Sequence, residues 1–390
     1  MGENNMPQIR FKGFTDAWEQ RKLGEIADKV TDKNSGLQYI ETFTNSAEFG
    51  IISQRDFFDH DIAKLSSLDG YYIVKNEDFV YNPRISTSAP VGPINCNKLG
   101  RTGVMSPLYT VFRPHDVDTT YLEHFFKCDY WHSFMNFNGD SGARSDRFSI
   151  KDNVFFQMPI PLPHIEEQRK IGELLTHLDH LITLHQRKLK TLKNIKKSCL
   201  EKMFPKNYTS TPEVRFANFT DAWEQRKLEN ITAEMIAGGD INKDLLLEEG
   251  RYPVIANSLS GNGIVGYYNT KYRIKAPAVT VTGRGDVGHA KARLIDFTPV
   301  VRLLAIKSSH NVFFLENAIN TLRIVIESTG VPQLTVPQLA KYELAFPQHL
   351  AEEEKIGTFF HKIDHLITLH QRKLEKLQNI KKSCLEKMFV

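Results

Sequence analysis

Two long segments of this chain each occur twice, and this internal repetition constrains the fold more than any other feature of the sequence. The first segment, PQIRFKGFTDAWEQRKLGEI at residues 7–26, returns at residues 212–231 with 14 of 20 positions identical. The second, at residues 171–204, returns at residues 356–389 with 25 of 34 positions identical. The sequence therefore predicts two copies of one structural frame.

The inserts between these repeats differ in length and in sequence. The first insert, residues 27–170, has 144 residues, and the second, residues 232–355, has 124. Each contains short apolar runs broken by Pro and Gly, which is typical of strands and turns. The strand candidates are GYYIV, DFVYN and PLYTVF in the first insert and YPVIAN, NGIVGYY and PAVTVT in the second. Helical stretches near residues 121–137 and 316–326 make both inserts α+β, with a strand order that the sequence does not give.

The second repeated segment has the apolar pattern of a coiled-coil helix, in which positions seven apart and the row four residues further on form one face. In the first copy these positions are Ile171, Leu178, His185, Leu192 and Cys199, with Leu175, Ile182, Leu189, Lys196 and Met203. In the second copy they are Ile356, Ile363, His370, Leu377 and Cys384, with Phe360, Ile367, Leu374, Lys381 and Met388. Each copy predicts a helix of roughly 50 Å. The other copy is the nearest partner, and His185 and His370 are expected to set the register.

Proline and charged residues mark the ends of both helices. Pro161 and Pro163 precede an acidic first turn in the first copy, and Pro347 does so in the second, as the helix dipole favours. Pro205 follows the Lys-rich end of the first helix. The predicted division is a domain at residues 1–160, a helix at 161–204, a second domain at 205–350 and a second helix at 351–390.

Composition narrows the class of protein. Four cysteines without a CxxC pair argue against a disulfide framework and against a zinc module, and they fit a reducing cytoplasm. An apolar leader and a run of about 18 apolar residues are both absent from the sequence, so we expect a soluble cytoplasmic protein without a membrane partner. The formal charge of +4 permits an anionic partner without requiring one.

Three motifs suggest enzymes but lack the residues that would complete them. Gly283, Gly285 and Gly288 form a GxGxxG, yet HAKARLIDF after it reads as a strand and the expected acidic residue is missing, so we predict a turn that displays Arg284. The YNPR sequence at residues 81–84 matches the NPPY motif of amino-methyltransferases only in part. The ExK at residues 353–355 lies at a helix start without a companion Asp strand.

Cationic residues cluster at the end of the first repeated helix. The cluster consists of Arg187, Lys188, Lys190, Lys193, Lys196, Lys197 and Lys202, against one acid, Glu201. A solvated helix face, contact with DNA phosphates and contact with an acidic partner all remain open for this segment.

Polar and basic residues also gather in Gly- and Pro-rich loops of the inserts, where recognition residues usually lie. Arg, Asn and Gln form bidentate pairs with base edges, whereas Ser, Thr and Lys more often hold phosphates. The DNA-binding candidates in the first insert are Arg84, Ser86, Thr87, Ser88, Lys98, Arg101, Arg144, Ser145 and Arg147. Those in the second insert are Asn257, Ser258, Asn262, Thr280, Thr282, Arg284, Lys291, Arg293 and Gln333.

Two dissimilar α+β inserts framed by repeated helices resemble the specificity subunit of type I restriction-modification systems (HsdS). The pattern P-x-x-x-E-Q-x-x-I at Pro163, Glu167, Gln168 and Ile171 supports the resemblance, as do the AWEQRKL and ITLHQRKL segments. It covers essentially the whole chain. The second copy departs from the pattern, because Glu353 stands where Gln is expected.

The resemblance implies a fold with two globular α/β target recognition domains separated by two long antiparallel coiled-coil helices in a pseudo-twofold internal repeat. Each domain would read one half of a bipartite DNA site, and the helices would serve as a spacer that binds two methyltransferase subunits. The chain itself would have no catalytic residue and no metal site. S-adenosylmethionine, ATP and Mg would belong to the methyltransferase subunits and to the restriction and translocase subunits.

Two other hypotheses remain at this point. A self-contained DNA-modifying enzyme would methylate or cut DNA as the purified chain alone. For a coiled-coil adaptor without base reading, Arg84→Ala or Arg284→Ala would leave the sequence preference unchanged.

Overall fold

The computed structural model describes residues 6–58, 65–141, 146–206, 209–325 and 332–389. Its contacts divide the chain into two compact units. Unit 1 comprises Met1–Leu184 and Leu374–Val390, and unit 2 comprises His185–Lys373. In the part of the chain that is described, each unit is built from short strands, short helices and portions of two long helices.

Unit 1 contains a four-stranded antiparallel sheet and three strand pairs. Its strands are β1 (Glu19–Lys22), β2 (Ala27–Lys29), β3 (Phe43–Ser46), β4 (Gly50–Ser53), β5 (Tyr72–Val74), β6 (Phe79–Tyr81), β7 (Ile94–Cys96), β8 (Gly103–Met105), β9 (Thr110–Pro114) and β10 (Pro159–Leu162). Its short helices are α1 (Gln54–Phe58), α2 (Thr119–Phe125), α3 (His132–Asn138) and α4 (Asp152–Phe155). The sheet has the order β2-β9-β6-β7, and the pairs are β1-β10, β3-β4 and β5-β8.

The three strand predictions for the first insert are confirmed as β5, β6 and β9. The single helix predicted at residues 121–137 is wrong, because α2 and α3 are separate. Phe126 ends α2, and the carbonyl of Asp129 accepts a hydrogen bond from His132 N at 3.0 Å, which starts the next helix. The apolar periodicity continues across this turn because Trp131 is buried beneath it, so the pattern alone did not reveal the break.

The long helices are α5 (Ile165–Lys202) and α9 (Leu350–Lys387), each of 38 residues. At about 1.5 Å per residue each is roughly 57 Å long. α5 begins in unit 1 and ends in unit 2, whereas α9 begins in unit 2 and ends in unit 1. None of the described helices is long and apolar enough to cross a membrane.

Unit 2 contains a four-stranded sheet, a three-stranded sheet and one strand pair. Its strands are β11 (Glu224–Lys227), β12 (Thr232–Ala237), β13 (Tyr252–Ile255), β14 (Ile264–Tyr268), β15 (Ala278–Val281), β16 (Ala290–Arg293), β17 (Thr298–Pro299), β18 (Leu304–Ser308) and β19 (Glu343–Phe346). Its short helices are α6 (Leu228–Ile231), α7 (Val312–Ile319) and α8 (Val336–Ala340). The sheets are β12-β18-β15-β16 and β14-β13-β17, and β11 pairs with β19.

The strand predictions for the second insert are confirmed as β13, β14 and β15, and the segment after the glycines forms β16 as expected. The predicted helix at residues 316–326 has the wrong bounds. The Asn311 side chain caps α7 by accepting hydrogen bonds from Phe313 N and Phe314 N, both at 3.0 Å. At the other end, Asn320 bonds the backbone of Ala290, which draws the chain toward β16 and ends the helix.

Both copies of the first repeat fold in the same way. Glu19–Lys22 pairs with Pro159–Leu162 as β1 with β10, and Glu224–Lys227 pairs with Glu343–Phe346 as β11 with β19. Trp18 and its counterpart Trp223 are buried beside these strands. Each repeated strand therefore fixes the strand that leads directly into a long helix.

Polar residues of the two long helices pair where the heptad pattern is interrupted. In unit 2 the Nδ1 atoms of His185 and His370 lie 2.8 Å apart, and Lys196 Nζ lies 2.6 Å from Asp364 Oδ1. The contacting residues have decreasing numbers on α9 as the numbers on α5 increase, so the two helices are antiparallel in unit 2. The prediction that the histidines occupy the seam is confirmed.

The Met-Phe sequence at the end of each repeated helix packs into a hydrophobic core. In unit 1 the Phe389 ring lies 5.5 Å from Tyr121 and 6.0 Å from Phe125, measured between ring centroids. In unit 2 the Phe204 ring lies 5.6 Å from Phe314. Each unit therefore needs the end of a helix that starts in the other unit to complete its core.

Candidate nucleic-acid interface

The loop that follows β6 presents four of the predicted residues of unit 1, Arg84, Ser86, Thr87 and Ser88, and all four are exposed. Arg84 forms an isolated antiparallel bridge with Arg147, which is also exposed. The backbone holds the two segments together, because Ile85 N donates to Asp146 O at 3.1 Å. In the described part of the chain, no carboxylate lies within 4 Å of either guanidinium group. This surface is the arginine loop of unit 1.

Asparagine side chains fix the position of the arginine loop. Asn82 Oδ1 accepts from Arg84 N at 3.0 Å, while Asn82 Nδ2 donates to Asn45 O at 2.8 Å. Asn45 is itself buried and donates to Val80 O at 2.7 Å. These hydrogen bonds therefore hold the loop to the β3–β4 hairpin and to the end of β6, and they fix the backbone that carries Arg84.

Other predicted residues of unit 1 have carboxylate partners. Arg101 forms a bidentate pair with Glu41 at 2.8 and 2.7 Å, and this hydrogen bonding lowers the pKa of the Glu41 carboxyl. Lys98 Nζ lies 3.5 Å from Glu123 Oε2. Arg144 and Ser145 lie outside the described residues. The structure therefore brings Arg84 and Arg147 together and gives Lys98 and Arg101 separate partners.

The GxGxxG segment of unit 2 is a hairpin turn. β15 and β16 pair antiparallel on either side of it with Val281 opposite Ala290, which confirms the predicted turn. Gly285 and Gly288 have positive φ values of 76° and 91°, a conformation that glycine adopts without strain. Arg284 is exposed at the tip, as predicted.

Gln333 lies beside Arg284, because the two residues form an isolated antiparallel bridge and Leu334 N donates to Gly283 O at 2.9 Å. Asn257 supports the same turn, since its Oδ1 accepts from Gly283 N at 2.8 Å. Three predicted residues thus lie together, and this surface is the arginine loop of unit 2. Asn257 uses its amide to hold the backbone, while Arg284 and Gln333 point to exposed positions.

Six predicted residues of unit 2 line one cavity of about 390 Å³. They are Ser258, Asn262, Thr280, Thr282, Lys291 and Arg293. Helix α5 closes part of this space with Lys196 and Leu200. Thr280 and Thr282 are only 1% and 5% exposed, and the Thr282 hydroxyl donates to Asp286 O at 2.6 Å. The two threonines therefore shape the hairpin that forms the wall of the cavity.

Two of the predicted lysines have equivalent partners in the two units. Lys291 Nζ lies 3.7 Å from Glu316 Oε1, as Lys98 lies near Glu123. Each glutamate is five residues after the residue that caps its helix, Asp118 or Asn311. Burial raises the pKa of Glu316. The inserts therefore share this pairing even though their sequences differ.

A buried ion pair that the sequence does not predict also occurs twice. Arg10 Nε lies 2.7 Å from Glu167 Oε1, and Arg215 Nε lies 2.6 Å from Glu352 Oε1. Both glutamates are fully buried. Arg10 and Arg215 are identical in the two copies of the first repeat, and Glu167 and Glu352 each stand four residues before a copy of the second repeat. The acidic turn that contains these glutamates is also favoured by the helix dipole, so the turn alone does not indicate an ion pair.

Glu353 stands where the family pattern has Gln, yet it makes an equivalent contact. In unit 1 Gln168 Oε1 accepts from Asp118 N at 2.9 Å at the start of α2. In unit 2 Glu353 Oε2 accepts from Asn311 N at 3.4 Å at the start of α7, and His310 Nδ1 lies 2.9 Å from Glu353 Oε1. Glu353 therefore accepts from the backbone at the start of a short helix, as Gln168 does, and His310 lies beside its carboxylate.

A groove bordered by the end of a long helix occurs in each unit. The groove of unit 1 has a volume of about 480 Å³ and that of unit 2 about 880 Å³. The residues shared between them are Lys381, Lys382, Leu385, Glu386 and Ile182 in unit 1 and Lys196, Lys197, Leu200, Glu201 and Ile367 in unit 2. These are the duplicated grooves. Most of the cationic cluster on α5 is exposed, whereas Lys196 is paired with Asp364.

Comparison with known proteins gives a consistent picture. A family model described as the type I restriction modification DNA specificity domain matches residues 15–194 and 220–379. A relative named as a type I specificity subunit, from Mycoplasma pneumoniae, is 25% identical over 358 residues and covers 90% of this chain and 88% of its own length. The MjaVIII type I restriction enzyme specificity subunit of Methanocaldococcus jannaschii is 20% identical, covering 98% and 94%.

A solved structure shows the same fold. The crystal structure of the S subunit of a type I restriction-modification system from M. genitalium matches with a TM-score of 0.67 at 13% identity, covering 99% of both chains.

Proposed function

We propose that this chain, which belongs to the type I restriction-modification DNA specificity family, is a non-catalytic subunit that reads a bipartite, asymmetric DNA site. Each unit would read one half of the site. The observation that supports this most directly is that two unlike inserts, on frames that repeat in sequence, each present an exposed arginine loop. Because the frames repeat and the inserts do not, the two half-sites should differ.

The arginine loops have the chemistry that direct base reading requires. An arginine fork donates two hydrogen bonds to the O6 and N7 atoms of guanine, and glutamine makes a bidentate pair with adenine. Arg84 and Arg147 in unit 1 are free of carboxylate partners in the described residues, so their forks remain available. Arg284 and Gln333 in unit 2 combine one side chain of each type.

Methylome sequencing of cells with and without the gene tests this function. We expect a single asymmetric motif, made of two short specified halves around an unspecified gap, to carry methylated adenines only in cells that have the gene. An unbroken or palindromic motif, or an unchanged methylation pattern, would contradict the proposal.

We infer the partner subunits from the same family membership. Two copies of a methyltransferase subunit would dock on the duplicated surfaces, and restriction and translocase subunits would join this assembly. S-adenosylmethionine, ATP and Mg would then be bound by those partners. The duplicated grooves support this view, because they offer the same apolar floor and the same Lys-Glu border twice, as two identical partners need.

Charge reversal in the duplicated grooves tests the docking site. Lys197→Glu should remove one methyltransferase subunit, Lys382→Glu the other, and the double variant both, as counted by native mass spectrometry. Lys188→Glu with Lys373→Glu is the matched control, since these exposed lysines occupy equivalent helix positions outside the grooves. A double groove variant that still binds two subunits would show that docking lies elsewhere.

A further inference from the structure

Among the described arginines, Arg293 stands out because its guanidinium group is largely buried and its two hydrogen-bond acceptors are neutral. Its Nε donates to Thr280 Oγ1 at 2.9 Å, and its Nη1 donates to Asn262 O at 2.9 Å. Burial lowers the pKa of Arg293 to about 10. Among the described residues, no carboxylate oxygen lies within 4 Å of this group. A cation removed from water without an anion is unfavourable.

Comparison with four other arginines shows how unusual this arrangement is. Each of the four forms a two-point contact with a carboxylate. The pairs are Arg10 with Glu167, Arg101 with Glu41, Arg113 with Asp78 and Arg215 with Glu352. In these four cases a carboxylate holds the guanidinium group, whereas Arg293 has no carboxylate oxygen within 4 Å among the described residues.

The cavity beside Arg293 has an excess of positive charge. Lys196 and Lys291 also line it, and Glu316 is the acidic residue among the described lining residues. Lys196 is paired with Asp364 at 2.6 Å, and Lys291 lies 3.7 Å from Glu316. Each of the two carboxylates thus has a lysine partner, and Arg293 interacts with Glu316 only at longer range, so the group of three cations and two carboxylates keeps a net positive charge.

We propose that this cavity binds a phosphoryl anion. The planar guanidinium fork matches two oxygens of such a group, and Lys291 is a further donor on the cavity wall. Its volume of about 390 Å³ accommodates a phosphoryl group with its shell of donors. The described lining residues include no Phe, Tyr or Trp on which a base could stack, so a phosphoryl group fits better than a nucleobase.

The phosphoryl group could come from the DNA backbone or from a free ligand. A backbone phosphate would position the second recognition domain on the duplex without reading sequence, and this source rests on the proposed function. A free phosphate would bind whether or not the chain reads DNA.

Thermal unfolding of the full chain tests the site. A ligand that binds only the folded state raises the unfolding midpoint, so inorganic phosphate, compared with chloride at equal ionic strength, should raise the midpoint of the wild type. Arg293→Gln should lose this response. Arg251→Gln is the control, because that exposed arginine lies over the Tyr252 ring away from the cavity, and it should keep the response. If Arg293→Gln does not fold, Lys291→Gln at the exposed rim should weaken the response.

The salt dependence of duplex binding distinguishes the two sources. If a backbone phosphate occupies the cavity, Arg293→Gln should reduce the slope of log K against log salt by about 0.9; an unchanged slope with a lost phosphate response indicates a free ligand. An equal phosphate response in wild type and Arg293→Gln would overturn the proposal. A wild type that responds to phosphate but binds no DNA would contradict the proposed function and leave this site intact.

Discussion

At the scale of single residues, the availability of each arginine decides what it can do. Arg84, Arg147 and Arg284 have no carboxylate partner in the described part of the chain, while Arg101 donates to Glu41 through both Nε and Nη2. An unpaired, exposed fork can form a bidentate contact with guanine, whereas a paired fork must first give up its carboxylate. Base reading should therefore depend on the arginine loops more than on Arg101.

Arg84→Ala should relax the sequence preference in one half-site, and Arg284→Ala should do so in the other. The loss of a bidentate base contact costs about 1–3 kcal/mol of discrimination. Binding of the assembled complex to a panel of DNA duplexes with single substitutions measures the effect. An adaptor without base reading would show the wild-type sequence preference in both variants. Arg101→Ala is the comparison, and we expect it to change the preference less than Arg84→Ala does.

His124 should make unit 1 sensitive to acid. Burial lowers its pKa to about 4, and its Nε2 lies 3.1 Å from Thr176 Oγ1. An unfolded chain takes up this proton near pH 6.5, so stability is present above that pH and falls between about pH 6.5 and pH 4. The total from this group is about 3 kcal/mol.

The second unit offers the matched substitution, because Asn317 stands six residues after the capping residue of α7, as His124 does in α2. His124→Asn should therefore reduce the fall of the thermal midpoint between pH 7 and pH 5, measured by calorimetry. Equal falls in the wild type and the variant would refute this role of His124.

At the scale of elements, each long helix has a glycine at the point where the start of a short helix packs against it. A Cβ atom on Gly357 would lie 2.1 Å from Asn311 Oδ1, which caps α7. A Cβ atom on Gly172 would lie 3.1 Å from the Thr120 side chain at the start of α2. The glycine in the repeat thus lets the domain helix approach the long helix closely in both units.

Gly357→Ala should destabilise the protein by about 1–3 kcal/mol, because the added methyl group overpacks the contact and displaces the helix cap. Gly172→Ala should cost less, since its nearest neighbours need to move by only a few tenths of an ångström. Calorimetric unfolding of the two variants measures the difference. A larger loss for Gly172→Ala would contradict this view of the contact.

Many of the helices and strands can be predicted from the local sequence pattern. The features that cannot be predicted depend on contacts between residues far apart in the sequence. The heptad rows predict α5 and α9, including the seam histidines, because a helix face is set by spacing alone. The end of α7 is fixed by Asn320 reaching Ala290, and the pairing of Arg10 with Glu167 joins residues 157 positions apart. Neither contact has a local signature.

The candidate site shows the same limit. The sequence indicates loops rich in Arg, Ser and Asn as binding candidates, and six of the predicted residues line one cavity. It did not separate Arg84, which is free of carboxylates in the described chain, from Arg101, which is paired with Glu41. Carboxylate partners such as Glu41 lie in another part of the insert, so only the fold identifies them.

At the scale of the whole molecule, the proposed role of the helices is to set the spacing between two reading units. Inserting one heptad into both α5 and α9 lengthens each by about 10 Å, which corresponds to roughly three base pairs. The unspecified gap of the methylated motif should increase accordingly, as read by methylome sequencing. A variant that assembles and keeps the original gap would show that the helices do not determine the spacing.

Exchange of one insert tests the central claim most directly. Residues 27–170 would be replaced by the corresponding insert of another member of the family, with both repeats left in place, and the methylated motif would be read by methylome sequencing. We predict that one half-site changes while the other half and the gap stay the same. A motif that changes in both halves, or in neither, would contradict the account of two independent reading units on a repeated frame.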